Sequence, residues 1–264
     1  MSAANIESEI ERIKKEIGET QVIVLAGGKG KRMGYIDKPK PLLEVCGKPL
    51  IDYTIETCLA CGFRRFVFLL GYKHEEIESH LGDGSNYGAE FVFSVEPENV
   101  KGKGKAVKYA LENNKIERDK RAIVMFPDDI ILDRRLPIQV LIHHINAVKL
   151  FNVLATIVFV SGTEYPFGVG EIDSVGLVRK FEEKPFIQKY TSVGVYVFEP
   201  GVFDVIDQTV SLSEKRDIEL ESVVFPRLAN EGKLYSYVIP PAVWVPVNTV
   251  KEYERAEKIV KNFG

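Results

Sequence analysis

Residues Val22-Ile23-Val24-Leu25-Ala26-Gly27-Gly28-Lys29-Gly30-Lys31-Arg32-Met33 carry the chain from an unbroken apolar run into a turn of glycines and cations. Val22–Ala26 is short and apolar throughout, the pattern of a strand buried on both faces. Gly27, Gly28 and Gly30 let backbone N–H groups approach a phosphate chain with no Cβ in the way. Lys29, Lys31 and Arg32 add the opposite charge, and a guanidinium can hold two phosphate oxygens at once. Alone, these residues also fit a tight strand-to-helix turn. The order G-G-x-G-x-R is not the dinucleotide-binding fingerprint G-x-G-x-x-G, and it lacks the G-K-[ST] ending of a Walker A loop.

Outward from this run, strand and helix patterns alternate. Phe66–Leu70, Phe91–Val95, Ala122–Phe126 and Val153–Val160 are further apolar strands. Between them lie helix-length segments, Pro49–Cys61, His74–Leu81, Lys105–Asn114 and Pro137–Leu150. Such alternation predicts an α/β fold: a Rossmann-like, mainly parallel sheet with helices on both faces. Ligands then bind beyond the carboxyl ends of the strands, so the loops after Ala26 and Phe126 belong at one edge. From about Phe167 the texture shifts to shorter strands, Gly168–Ile172, Leu177–Phe181, Val193–Phe198 and Leu234–Ile239. Helices are expected at Val202–Asp207, Asp217–Asn230 and Val250–Asn262. Residues 1–20 place Ile6, Ile10, Ile13 and Ile17 on one stripe of a helix, which fits either a surface helix or a dimer contact. The expected organisation is an N-terminal amphipathic helix over 1–20 and a single domain over 21–264. Its two halves are about 21–150 and about 151–264.

The chain has 264 residues, 45% of them apolar and 28% charged, with a formal net charge of −3. That is ordinary for a soluble globular protein and unlike a nucleic-acid binder, which is usually basic with clustered Lys and Arg. The longest apolar stretch falls far short of the ~20 residues needed to cross a bilayer. No secretory leader pattern is present, so the expected compartment is the cytoplasm. Cys46, Cys58 and Cys61 form no disulfide framework. Cys58 and Cys61 lie three apart on an apolar helical stripe with no second ligand pair nearby, and read as ordinary buried thiols.

Downstream of the glycine loop, Asp37-Lys38-Pro39-Lys40-Pro41-Leu42-Leu43 sets Lys40 between two prolines that fix its backbone. Gly47-Lys48-Pro49-Leu50-Ile51 follows. Together with Arg32 these residues resemble the signature of the sugar-nucleotide pyrophosphorylase (sugar-phosphate nucleotidylyltransferase) family: G-G-x-G-T-R-[ML], then P-K-P, then G-x-P-[LM]-[IL]. The resemblance continues in Gly82-Asp83-Gly84-Ser85-Asn86-Tyr87-Gly88, Gly102-Lys103-Gly104-Lys105-Ala106 and Phe126-Pro127-Asp128-Asp129. It runs on through Glu183-Lys184-Pro185, Ser192-Val193-Gly194-Val195-Tyr196 and Trp244-Val245-Pro246-Val247-Asn248-Thr249.

The family's fold, a GT-A-like nucleotidyltransferase sheet, agrees with the α/β expectation. The implied reaction joins a nucleoside triphosphate to a sugar 1-phosphate and releases pyrophosphate, with Mg²⁺ and without a covalent intermediate. Two polyanions must meet, so cations and fixed donors are needed where charge develops. The resemblance implies Arg32, Lys40 and Asp128 as catalytic residues. It implies nucleotide contacts from Leu25, Ala26, Gly27, Gly28, Lys29, Gly30, Lys31, Glu96, Gly102 and Lys103. Asp129, Gly168, Glu183, Lys184, Val193 and Gly194 are expected on the sugar-phosphate side. A hard divalent ion takes one or two carboxylates while phosphates fill its other positions. Asp128 at a strand end suits that role, and would otherwise read as a turn cap after Pro127.

Three positions depart from the family pattern. Lys31 stands where Thr is usual, and Lys103 and Lys105 stand where residues are usually small and uncharged. Pro246 replaces the second metal-binding Asp. In some branches an Asn two positions on helps hold the metal, so Asp128 and Asn248 are the expected ligands. Pro246 also motivates an alternative, a non-catalytic regulatory homologue. Pro127-Asp128-Asp129 is similar to uridylyltransferases and favours UTP with glucose 1-phosphate. GTP with mannose 1-phosphate, or dTTP with glucose 1-phosphate, are the alternatives. Arg32-Met33-Gly34 with Asp37-Lys38 is similar to molybdopterin and cobinamide-phosphate guanylyltransferases, but those would not be expected to carry the Gly82–Gly88 and Glu183–Pro185 motifs. Expected partners are the two small substrates, with no nucleic acid or membrane, and the apolar stripe of the first helix also fits a second copy of the chain. No C-terminal β-helix is expected, since the sequence ends soon after the last helix.

Overall fold

The computed structural model describes residues 3–28, 30 and 38–263. Strand β1, Thr20–Leu25, has Val22, Ile23 and Val24 fully out of solvent, as the apolar run requires. Burial of each such side chain is worth about 1.5–3 kcal/mol. The other strands of its sheet are β2 Arg65–Leu70, β3 Glu90–Val95, β4 Arg121–Met125, β5 Ala155–Val160, β6 Thr191–Phe198 and β7 Leu234–Ile239. They form one seven-stranded sheet in the order β7-β5-β6-β4-β1-β2-β3. β1, β2, β3 and β4 pair in parallel, as do β5 and β7, while β6 runs antiparallel between β4 and β5. The sheet is therefore mainly parallel but mixed.

Alternate residues feed opposite layers. Val22 and Val24 join Phe66 and Phe68 in a cluster covered by α2 Leu50–Ala60, α3 His74–Leu81 and α5 Leu136–Phe151. Ile23 joins Val67 and Leu69 on the other face, under α4 Lys103–Glu112, α6 Gly201–Thr209 and α7 Leu220–Asn230. A third cluster, with Leu43, Val45, Ile130, Val245 and Val247, seats Ala256 of the last helix, Val250–Phe263. The first helix, Ala3–Gly18, packs Ile17 on the core and leaves Ile6 and Ile10 exposed.

Several features are not local in the sequence. The helix expected from Asp217 begins at Leu220, because Ile218 is drawn into extended pairing with the 101–104 turn. Gly104 N–H donates to the Ile218 carbonyl at 2.9 Å, and Ile218 N–H donates to that of Lys101 at 3.2 Å. Trp244–Pro246 pairs antiparallel with Asp129–Ile131, bringing residues more than a hundred positions apart to one edge. The hairpin Val169–Ile172 with Val178–Glu182 stands outside the main sheet, exposed along both strands. Among the described residues, no helix is long and apolar enough to cross a membrane.

Candidate active site

β1 and β4 are parallel neighbours, so the loops leaving Leu25 and Met125 emerge at the same carboxyl edge. They open a cleft of about 1090 Å³. Its walls include Leu25, Ala26, Gly27, Gly28, Gly30, Lys40, Glu96, Gly102, Lys103, Asp128 and Asn248. Lys29, Lys31 and Arg32 of the loop lie outside the described residues.

Lys40 sits in a short 3₁₀ turn, Lys40–Leu42, entered from Pro39 and followed by Pro41. Its stem lies against Gly30, where an added Cβ would fall 2.9 Å from that of Lys40. The side chain is 9% exposed, and its ammonium donates to Asp128 Oδ2 at 3.1 Å and to Asn248 Oδ1 at 3.0 Å. Three residues scattered over the sequence thus meet at one point on the cleft floor.

Asp129 does not line the cleft, and its carboxylate is engaged by neighbouring donors. Its Oδ2 accepts from Trp244 Nε1 at 2.8 Å, and its Oδ1 accepts from Val247 N–H at 3.1 Å and Asn248 Nδ2 at 3.2 Å. Asp128 lies in the turn before the strand, whereas Asp129 is its first residue and pairs in register with Pro246, which sets it beside Trp244, Val247 and Asn248. Burial, then the charge of Asp128, push the Asp129 carboxyl up to about 6, opposed by the Trp244 and Val247 donors. As a carboxylate it accepts all three bonds, and it fixes which way the Asn248 amide points. Nδ2 turns inward and Oδ1 turns toward Lys40.

Glu96, just beyond β3, lies against the glycine turn, where an added Cβ on Gly27 would fall 3.2 Å from its Oε1. Among the described residues nothing donates a hydrogen bond to its carboxyl group, and burial pushes it up to about 8. At neutral pH it is therefore largely a neutral acid, with one donor and one acceptor.

Gly102 has φ +94°, and a Cβ there would fall 2.4 Å from the Ile218 carbonyl oxygen. The adjacent Glu219 accepts from Lys103 N–H at 3.1 Å, so the amino end of α4 already carries a carboxylate. Lys103 Nζ lies 2.6 Å from Glu221 and 4.8 Å from the centre of the Phe126 ring. It reaches the cleft but is held by an anion. Lys105 does not reach it: the side chain is fully buried and donates to the Glu214 carbonyl. No local pattern announced Asp217 and Glu219 as cleft residues, since only the packing of 217–219 on the 101–104 turn brings them there. Tyr72, Lys73 and His74, after β2, also line the cleft.

The residues expected on the sugar side do not join this wall. Val193 is buried in the core. Gly194, φ +72°, sits where the register of β6 against β5 shifts, under Phe126, whose ring would meet an added Cβ at 2.6 Å. Glu183 and Lys184 are exposed and 3.9 Å apart, and Gly168 lies beside Glu183. Gly168, Glu183 and Lys184 flank the two hairpin strands and are not among the residues that line the cleft. Cys58 is buried with its sulfur 3.3 Å from that of Met125.

The mixed, mainly parallel sheet with its helical layers and the cleft at its carboxyl edge define an α/β protein of the nucleotidyltransferase type. The chain belongs to the nucleotidyl transferase family, whose model matches residues 21–262. It is 28% identical over 242 residues to a mannose-1-phosphate guanylyltransferase catalytic subunit beta of Drosophila melanogaster, covering 89% of this chain and 61% of that protein. It is also 28% identical over 251 residues to a UTP–glucose-1-phosphate uridylyltransferase of Synechocystis sp., covering 89% and 62%. A mannose-1-phosphate guanyltransferase of Pichia angusta is 30% identical over 236 residues, covering 88% and 61%. The chain thus spans about three-fifths of the length of these relatives. A Bacillus anthracis crystal structure, assigned as a glucose-1-phosphate thymidylyltransferase and solved with sucrose, shares the fold. Its TM-score is 0.71 at 23% identity, covering 92% of this chain and 96% of that one.

Proposed function

We propose that this chain is a sugar-1-phosphate nucleotidylyltransferase. A phosphate oxygen of the sugar 1-phosphate attacks the α-phosphorus of a nucleoside triphosphate. The bond to the β-bridging oxygen breaks, and pyrophosphate leaves with the displaced electron pair. The observation that carries the reading is the convergence of Lys40, Asp128 and Asn248 at the carboxyl edge beside the glycine turn.

Two oxygens already meet one positive centre there, so the donor set suits a divalent ion, with Asp128 and Asn248 holding Mg²⁺. When bound, that ion would neutralise phosphate charge. Asn248 is neutral, so this pair is a weaker cage than two carboxylates. Lys40 donates to phosphate oxygens as the negative charge shifts toward the leaving group. Asp129 holds the Asn248 amide in its working orientation. Arg32 belongs to the same charge-neutralising set by its place in the loop. Glu183 and Lys184, at the base of the exposed hairpin, bind the sugar phosphate in this reading.

The preferred substrates are UTP and glucose 1-phosphate, and the carboxyl group of Glu96 supports the base. A neutral acid can accept from the uracil N3–H and donate to the adjacent carbonyl. The dTTP reading shares that edge. Once ionised, the same group offers two acceptors, which match the paired N–H donors of guanine, so GTP with mannose 1-phosphate is the second reading.

The test is pyrophosphate release across a panel of triphosphates and sugar 1-phosphates with Mg²⁺. Turnover is expected with at least one pair, and Asp128→Ala should lower it by about 10²–10³. Arg32→Ala should lower it heavily with the fold intact. Silence of the folded protein across the panel would favour the non-catalytic alternative.

A further inference from the structure

We infer that Lys40 is the resident cation of this site: in the ligand-free protein its ammonium fills the point between Asp128 and Asn248, and a divalent ion must displace it to bind. The inference rests on the metal-dependent reading above.

The two oxygens approach Lys40 Nζ at 3.1 and 3.0 Å. That is hydrogen-bond distance to an ammonium, and both oxygens are also the expected metal donors. The ammonium and an ion held by both oxygens would share the same two acceptors. An Mg²⁺ ion needs oxygens at about 2.0–2.1 Å, and an ammonium hydrogen-bonded to the same pair stands on that position. The displacement is also costly in charge. Asp128 gives the pair its negative charge and Lys40 meets it directly, so an arriving ion must break that ion pair.

Lys40 cannot simply yield to a distant position. Its stem lies against Gly30, and its backbone is pinned by Pro39 and Pro41. Only the end of the side chain is free to swing, and the glycine turn lies beside it. Metal arrival and delivery of the ammonium to a phosphate therefore become one exchange: the ion takes the two oxygens and the lysine takes an oxygen of the incoming triphosphate. Without a phosphate to receive it, the ammonium competes with the metal.

The test is Mn²⁺ binding to the whole protein without nucleotide or sugar phosphate, followed by the electron paramagnetic resonance of free Mn²⁺. Lys40→Met keeps the stem and removes the charge, and should tighten Mn²⁺ binding at least tenfold. Asn248→Ala in that background should reverse the gain. Equal or weaker binding by folded Lys40→Met, or no binding by either protein, overturns the proposal. If Lys40→Met does not fold, acetylation of the native protein decides. Mn²⁺ should speed modification of Lys40 relative to other lysines, and an unchanged or slower rate overturns the proposal. Because no turnover is measured, failure here leaves the transferase reading to stand or fall on pyrophosphate release.

Discussion

At the residue scale, single side chains acquire their chemistry from where they are held. Glu96 is an acid whose ordinary value near 4.5 is pushed up to about 8 by burial in the cleft wall. The neutral form therefore dominates below about 8 and the carboxylate above it. If it reads the base, the ratio of kcat/KM for UTP to that for GTP should fall as pH rises through that value. Glu96→Gln, a permanent donor and acceptor, should keep pyrimidine use and flatten the dependence. A ratio that moves equally in wild type and variant would remove Glu96 from base reading. Lys103 shows the converse. It was expected to contact the nucleotide, yet Glu221 at 2.6 Å already occupies its ammonium.

At the element scale, the 101–104 turn matters most. It is clamped by 217–219 through two backbone hydrogen bonds and by Glu219 on the first N–H of α4. Gly102→Ala would press a Cβ against the Ile218 backbone in a conformation that favours glycine. The expected cost is about 2–3 kcal/mol, visible as a lower Tm, with weaker nucleotide binding because the cleft wall shifts. An unchanged Tm would mean that the segment yields freely. The Trp244–Pro246 pairing with Asp129–Ile131 is a second such device, because it alone carries Asn248 to Asp128. A proline in that short strand is tolerable because it lies on a two-stranded piece outside the main ladder.

At the scale of the whole molecule, the two ends of the sheet have separate duties. At the amino ends, Arg121 joins Glu16 of the first helix at 2.7 Å to Glu199 after β6 at 2.5 Å. Buried His144 bridges Thr156 Oγ1 at 2.8 Å and Glu199 at 3.0 Å. This network is remote from the cleft at the carboxyl ends. Arg121→Ala should therefore destabilise the fold by roughly 2 kcal/mol while leaving kcat near its original value. A large fall in kcat with unchanged stability would contradict that division. Burial holds His144 below its ordinary 6.5, so the unfolded chain takes up the proton first. Its contribution to stability is present above about 6.5 and is lost as pH falls through that value. Burial raises Glu199, but donors from His144 and Arg121 outweigh it, so its contribution is lost further into acid. Thermal melts should accordingly fall on acidification, and His144→Phe should blunt the first part of the fall.

The alternating apolar runs determined the sheet, its mainly parallel sense and the shared edge of the loops after β1 and β4. Strand burial and crossover geometry depend on patterns a few residues long, and these are written locally. The glycine turn is local in the same way, whereas Lys40 and Asp128 were singled out by resemblance to the family's motifs. Tertiary structure alone decided that Asp129 faces away from Asp128 to hold Trp244 and Asn248, and that Glu219 caps a helix more than a hundred residues earlier. It also decided that Glu183 and Lys184 are exposed, next to a hairpin that stands outside the main sheet. Such placements follow from which strands meet and in what register, and register is set by packing over the whole molecule rather than by the residues beside each site.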